Sequence, residues 1–555
     1  VPLLLASAFT LINALKPLHV DDATFYANAS HIARKPLDPY GFTLMVRDRP
    51  AAALHALAPP VLPYWWAAGI RLFGEHPFAW KLWLLPFAFL FVAALWTLLR
   101  RFAPGLELPL TVMTVFSPAV LPGFNLMMDV PALALSLVSL ALFCRAADRD
   151  AALPAIAAGL IAGLAIQTKY TGLVAPAVLF AYAVVFRKVR LFILAALGTI
   201  LIFAGWESLM VLRYGESHFL YQLFQGHNND EPKSELLKAL CPLLGAVAWP
   251  LTLLALTCLR SPRWLVIAAG LAGVLPYVVL ASPAGATPDG PASAAVMARD
   301  ASFAFSGVGV LLALAAVAWC LIRGPAVGPP VTDAPVHMAA WFLVCWLLLE
   351  FAAYVLISPF PAVRRLIGIV VAGTVVAGHL GAQASAMAPR RALWAGAVGA
   401  SVLLGLGYFA VDYHEARAQQ WAAAEAARRV RQASPNATAW FTGYWGFQFY
   451  AQRAGMKPVV PLCLPLDGSL AALPPSHLRA GDWLVIPSPN IPQQRLQMDV
   501  RKLELRAKVP VGDELPFATM MGYYSGKYAL RQQRGPRLVV FLFRVRDDLI
   551  ALPAQ

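Results

Sequence analysis

Two adjacent carboxylates, Asp21-Asp22, follow directly on an apolar N-terminal segment and open the polar run HVDDATFYANASHIARKPLDPYGF in a chain that is otherwise strongly apolar. Ionisable residues at bilayer depth are costly to keep, so by default they mark function. One carboxylate of such a pair can act as a general base that takes a proton from an acceptor hydroxyl, while the other holds a cation or a substrate hydroxyl. The competing reading is structural: an Asp at a helix start caps free backbone N–H groups and complements the helix dipole. On spacing alone the two readings stand level, and the position beside the membrane tips the balance toward chemistry.

Further charges stand where topology would return them to the same surface. Asp129, in NLMMDVPA, precedes Val130-Pro131 and reads either as a helix-start residue or as a supporting or metal-binding carboxylate. Lys169, in QTKYTG, lies between two short apolar spans, either as a point charge for a phosphate or carboxylate or as a snorkelling lysine. Arg364-Arg365, in SPFPAVRRLIGIV, break the positive-inside pattern; a planar guanidinium fork suits phosphate oxygens, and an interfacial anchor is the plainer alternative. Glu350, deep in the preceding apolar span, is expected to pair with one of these cations or to face a cavity. His218 and His227 share a polar loop, where a histidine is usually neither ligand nor catalyst. Asp21, Asp22 and Asp129 together could hold Mg²⁺ or Mn²⁺.

The elements that must position these residues are membrane helices. The 555 residues are 59% hydrophobic and only 13% charged, against roughly a quarter charged in soluble domains, and the mean hydropathy is +0.63. At about 20 apolar residues per crossing, spans are expected near 1–16, 78–99, 106–122, 130–146, 151–167, 170–186, 191–212, 240–259, 263–281, 302–322, 338–357, 366–386 and 392–411. That makes about thirteen. Arg100-Arg101, Arg145 with Arg149, Arg187-Lys188 with Arg190, Arg260 with Arg263, Arg323 and Arg390-Arg391 then share one side, which the positive-inside rule makes cytoplasmic. The net charge of +15 is thereby read as topological rather than as a nucleic-acid footprint. The first segment, Val1 to about Leu15, is read as a membrane helix and not a cleaved leader, with a clipped start left open.

The stretch 60–74 (PVLPYWWAAGIRLFG) is read as a helix in the interface, with Trp65 and Trp66 as aromatic anchors. The opposite, extracytoplasmic side then receives the loop 17–77, the turn 125–129, Lys169, the loops 213–239 and 282–300, the segment 358–365 and everything after about 412. Residues 1–411 form the expected transmembrane catalytic domain. Residues 412–555 form a soluble α/β or α+β domain, in which Gln420–Gln432 is helical and WLVIP and RLVVFLFRV are strands. Five of the six cysteines lie in or at the ends of apolar segments and only Cys463 in the polar tail, which argues against a disulfide framework. P-loop, dinucleotide, HExxH and nucleophile-elbow motifs are absent, so nucleotide-driven chemistry is not indicated.

Taken in order, HVDDATFYANASHIARKPLDPYGF, PPVLPYWWAAGIRLFG, NLMMDVPALAL and GLAIQTKYTG resemble bacterial members of the GT-C glycosyltransferases, relatives of protein O-mannosyltransferases and lipid A aminoarabinose transferases (glycosyltransferase 39/83-like). The resemblance is clearest over residues 1–230, weaker at SPFPAVRRLIGIV and faint at GYWGFQFYAQRAG. It implies a polytopic α-helical membrane protein of eleven to thirteen spans, an acidic motif in the first external loop and a polyprenyl-phosphate sugar donor. The family's acidic motif falls on Asp21-Asp22, with Asp21 at the position usually assigned as catalytic. The second acid is Asp where many mannosyltransferases have Glu. Phosphate recognition would fall on Lys169 and Arg364 or Arg365, with Asp129 and Glu350 supporting the site or, for Asp129, a metal.

The implied protein is a bacterial inner-membrane enzyme whose site faces the periplasm and whose partners are the lipid-linked donor, an extracytoplasmic acceptor and the bilayer, without nucleic acid. Two rivals from other classes remain: a secondary transporter, which would show paired halves with broken helices, and a non-catalytic envelope scaffold or lipid-binding protein, in which the acids are dispensable.

Overall fold

Long runs of Leu, Ala, Val and Phe satisfy their backbone groups internally as helices, the solution a lipid environment demands of a single segment. The computed structural model describes residues 1–46, 49–224, 232–281, 294–323, 334–383, 391–462, 473–488, 494 and 496–553. His227, Arg390, Cys463 and most of the loop 282–300 lie outside the described residues. Among the described residues, seven helices are long and apolar enough to cross a membrane: Pro77–Phe102, Asp129–Arg149, Val189–Tyr214, Arg263–Ala281, Met297–Arg323, Val336–Ile357 and Arg391–Ala433. The pair Lys233–Val247 and Trp249–Cys258, bent by 74°, makes an eighth if it is one span. The chain is a multi-pass helical membrane protein with a β-rich C-terminal region.

The helix lengths among the described residues do not confirm thirteen full crossings. Pro2–Ala14, Ala152–Thr168, Tyr170–Val185 and Ile367–Gln383 are apolar but short. The span expected at 106–122 is a nine-residue helix, Glu107–Val115, which at 1.5 Å per residue covers about 13 Å of a hydrocarbon layer of about 30 Å. Pro118, Pro122 and Gly123 follow it and cannot extend the ladder. The buried coil beyond Val115 finds partners elsewhere: the Pro122 carbonyl accepts from Lys16 Nζ at 2.7 Å, and the Ala119 carbonyl from the Tyr523 hydroxyl at 2.7 Å. In the bent pair, Pro250 in the first turn of the second helix has no N–H to carry the ladder across the break.

The helix Val61–Phe73 is present where an interfacial helix was expected, and its tryptophans pack against protein. Trp66 is buried, and the rings of Trp65 and Trp83 stack 4.8 Å apart, each indole donating to the other's carbonyl. Phe25 of the helix Asp22–Arg34 covers Trp66, and Trp83 covers Trp65.

Helices Lys233–Val247 and Ala294–Arg323 approach until backbone meets backbone: a Cβ on Gly307 would lie 1.8 Å from the Cys241 carbonyl oxygen, and one on Gly245 1.9 Å from that of Phe303. Close approach through glycine is a membrane substitute for hydrophobic association. Gly307→Val is expected to force the helices apart and lower the melting temperature in detergent by several degrees, while an open position such as Gly309→Val leaves it unchanged.

The last span does not stop at 411. The helix Arg391–Ala433 continues through the expected boundary, and its far end presents Ala422, Ala423, Ala426, Ala427 and Val430 to a five-stranded mixed sheet. The sheet order is Lys457–Pro458, Ala439–Phe441, Trp483–Pro487, Leu538–Val545, Leu503–Val511, with the first three strands parallel and the last two pairings antiparallel. WLVIP and most of RLVVFLFRV are its neighbouring central strands, as their β-leaning composition predicts.

Candidate active site

The N-terminal helix ends before a tight turn in which Val20 holds φ at +49°, a left-handed conformation that β-branched residues rarely adopt and that marks strain when it persists. The turn closes on itself: the Asp22 N–H donates to the His19 carbonyl at 3.1 Å, and the His19 N–H to Asp22 Oδ2 at 3.0 Å. Asp21 stands at the N-cap of Asp22–Arg34, yet its side chain makes no capping bond. Its Oδ2 instead accepts from Arg364 Nη1 at 3.0 Å, and a third of the side chain stays exposed. The capping explanation therefore fails for Asp21.

Asp129, the first residue of Asp129–Arg149, is ion-paired with Lys169, and its Oδ2 lies 4.0 Å from Arg364 Nη1. Lys169 reaches it because the helix Ala152–Thr168 stops: Lys169 is extended, and a 3-10 turn Tyr170–Leu173 folds back, with the Gly172 N–H on the Lys169 carbonyl at 2.7 Å. Only glycine fits there, since a Cβ would sit 2.5 Å from the Ala165 backbone. Burial, reinforced by Arg365, pulls the Lys169 ammonium down to about 7 against the attraction of Asp129. An arriving phosphate would restore its charge.

Arg364 and Arg365 come from the 3-10 turn Val363–Arg365. Arg364 Nε donates to the Tyr524 carbonyl at 3.1 Å, and both guanidinium groups stand near the Phe360 ring, at 5.7 and 5.1 Å from its centroid. Pairing with Asp21 and Asp129 supplies the cause for the break in charge pattern that the sequence exposes. Four segments distant in sequence, at 21, 129, 169 and 364, thus converge in one charged cluster.

Beside the cluster a cavity of about 70 Å³, open on one side, runs between the helices Asp129–Arg149, Val174–Val185 and Ala334–Ile357. Asp129, Ser358, Arg364 and Arg365 make it polar at one end; Leu133, Leu137, Leu140, Val174 and Val178 make the rest apolar. Glu350 lines it as well and accepts from Trp346 Nε1 at 3.0 Å, one turn away on its own helix.

The sequence candidates divide. Asp21, Asp129, Lys169 and Arg364 meet; Arg365 and Glu350 face the cavity. Asp22 does not join them: it is wholly buried and turned onto His19. Asp21 pairs with Arg364 and Asp129 with Lys169, while Asp22 is turned away from both. Among the described residues no group of three or more His, Cys, Asp and Glu side chains could hold a metal ion. His218 is structural: it is buried between the Tyr170 hydroxyl and the Leu57 carbonyl.

Residues that the sequence reading passed over lie directly behind the site: Lys16, His19, Lys81, Asp412 and Tyr524, all buried. Lys81 falls inside an expected apolar span and Asp412 at the edge of another, and intramembrane charge was the available signal.

Among solved structures, ArnT from Cupriavidus metallidurans bound to undecaprenyl phosphate aligns with 98% of this chain and 96% of its own at 16% identity, with a TM-score of 0.40. ArnT from Cupriavidus metallidurans in the apo state aligns with 97% of each chain at 15% identity and a TM-score of 0.42. Arabinosyltransferase EmbB from Mycobacterium smegmatis aligns with 74% of this chain and 42% of its own at 13% identity and a TM-score of 0.31. No family model and no curated protein matches the chain.

Proposed function

We propose that the chain is an integral membrane glycosyltransferase that moves a sugar from a polyprenyl-phosphate donor to a hydroxyl or amine acceptor on the extracytoplasmic side, with inversion at the anomeric carbon. The observation that carries this reading is a groove with two ends: apolar walls between membrane helices, suited to an isoprenoid chain, and a head of Arg364 and Arg365, with Lys169 one ion pair away, suited to its phosphate.

The chemistry follows from the charges. The acceptor oxygen or nitrogen attacks the anomeric carbon, the bond from that carbon to the phosphate oxygen breaks, and polyprenyl monophosphate leaves with the electron pair. Asp21 takes the acceptor proton. Negative charge grows on the phosphate as it departs, and Arg364, Arg365 and Lys169 stabilise it, a pre-organised electrostatic term that is often the largest in catalysis. The pairing of Asp21 with Arg364 and of Asp129 with Lys169 supports the further proposal that turnover is metal-independent.

The test is sugar transfer by the purified protein in detergent from a panel of polyprenyl-phosphate sugars, with undecaprenyl phosphate as competitor. Donor-dependent transfer, inhibited by the competitor and undiminished by EDTA, is the expected outcome. Absence of turnover across hexose and pentose donors with several acceptor types would defeat the transferase reading. Loss of activity in EDTA, restored by Mg²⁺ or Mn²⁺, would defeat the metal-independent form of it.

A further inference from the structure

A second cluster of charges, unused by the mechanism above, is sealed behind the Asp21 turn. Lys16 Nζ donates to Asp412 Oδ2 at 2.6 Å, and His19 Nε2 lies 3.0 Å from the same oxygen. Lys81 Nζ donates to the Lys16 carbonyl at 2.5 Å, and the Tyr524 hydroxyl donates to Asp412 Oδ2 at 2.7 Å. Asp22 completes the set through its bond to the His19 N–H. Lys16 and Lys81 are 2% exposed, and His19, Asp22, Asp412 and Tyr524 not at all.

Burying so many charges costs more than an apolar core of the same volume, and what such sets can provide in return is a unique geometry. Three features show which geometry is held. The strained turn at Val20 needs an external constraint, because an unconstrained valine relaxes to negative φ. The segment Thr519–Tyr524 of the C-terminal region is pinned to the long helix, with Glu415 Oε2 accepting from the Thr519 N–H, the Thr519 hydroxyl and the Met520 N–H. Tyr524 then works at both ends: its hydroxyl holds Asp412 beside His19, and its carbonyl holds Arg364 Nε at 3.1 Å. The turn that carries Asp21 and the arginine that binds Asp21 are thus tied to one tyrosine.

We propose that Asp22 is a positioning residue rather than a second reacting carboxylate, and that with His19, Lys16, Lys81, Asp412 and Tyr524 it forms a buried latch by which the C-terminal domain sets the aim of Asp21 toward Arg364. The proposal rests on the transferase reading only for its activity arm. The latch itself is a property of the folded chain and is measurable without any substrate.

The experiment compares Asp22→Asn, Asp22→Ala and Tyr524→Phe in the full-length protein in detergent. Asparagine keeps an oxygen that can accept the His19 N–H; alanine does not. Asp22→Asn is expected to keep kcat within about 10-fold of the native chain with an unmoved pH profile, and Asp22→Ala to lose about 100-fold in kcat with donor KM nearly unchanged, as befits a misaimed base. Hydrogen exchange followed by mass spectrometry is expected to show lost protection over residues 17–25 in both Asp22→Ala and Tyr524→Phe. The proposal is overturned if folded Asp22→Asn is as inactive as Asp21→Asn, which would make the carboxylate itself essential. It is equally overturned if protection over 17–25 is native in Asp22→Ala and Tyr524→Phe. Should no donor turn over, the exchange arm alone decides the latch, so its failure and that of the transferase reading stay distinguishable.

Discussion

Asp21→Asn is expected to reduce kcat for sugar transfer by ~10²–10⁴-fold, the range associated with removing a positioned general base, while leaving donor KM and the melting temperature near native. The reason for the split lies in the geometry. Asparagine retains the size of the side chain and an oxygen that can accept from Arg364 Nη1, now at 3.0 Å from the carboxylate. Arg364 keeps the Tyr524 carbonyl and the nearby Asp129 as further partners. What is lost is the capacity to take up the acceptor proton. Steady-state kinetics at saturating donor, with a thermal melt of the same preparation, reads both halves; a variant that is folded and fully active would remove Asp21 from the mechanism.

Arg364→Met is expected to be nearly as damaging, but with a different signature. Losing a charge-assisted hydrogen bond to a donor phosphate costs about 1.5–3 kcal/mol, a rise of roughly 10- to 100-fold in donor KM. The same guanidinium faces the leaving phosphate, so kcat falls as well. Stability also suffers, because Asp129 is almost fully enclosed and would keep Lys169 and the more distant Arg365 as its cations. Removing one member of a buried ion pair typically costs ~3–5 kcal/mol, and Lys169 holds the loss toward the lower end. Arg364→Lys is expected to recover much of the melting temperature but little of the turnover. A single ammonium cannot reach Asp21, the Tyr524 carbonyl and a phosphate as the planar fork does. An Arg364→Lys protein with native donor KM would contradict a phosphate role and leave the arginine a purely structural tie.

Much of this molecule could be read in one dimension. The apolar periods placed helices throughout, WLVIP and RLVVFLFRV announced neighbouring strands, and the break in charge pattern at Arg364-Arg365 pointed to a residue with something to bind. Lengths were less legible. A run such as 106–122 is apolar enough to suggest a crossing, and only Pro118, Pro122 and the partners supplied by Lys16, Tyr523 and Tyr524 turn its second half into buried coil. Trp66 looks like an interfacial anchor until Phe25 of the neighbouring helix is present to cover it.

The division between Asp21 and Asp22 shows the limit most clearly. Neighbours in sequence with the same side chain, they point to different surroundings: one to Arg364 and open space, the other into a sealed cluster with His19. The sequence by itself determined that this is a multi-pass helical membrane protein whose C-terminal region contains strands, because hydropathy is a local property that every segment carries with it. Which acid meets Arg364, which lysines are hidden behind it and that Tyr524 ties the two together were decided only by the tertiary structure. Those contacts join residues up to 505 positions apart, as between His19 and Tyr524, and no local signal encodes the partner a buried charge will find.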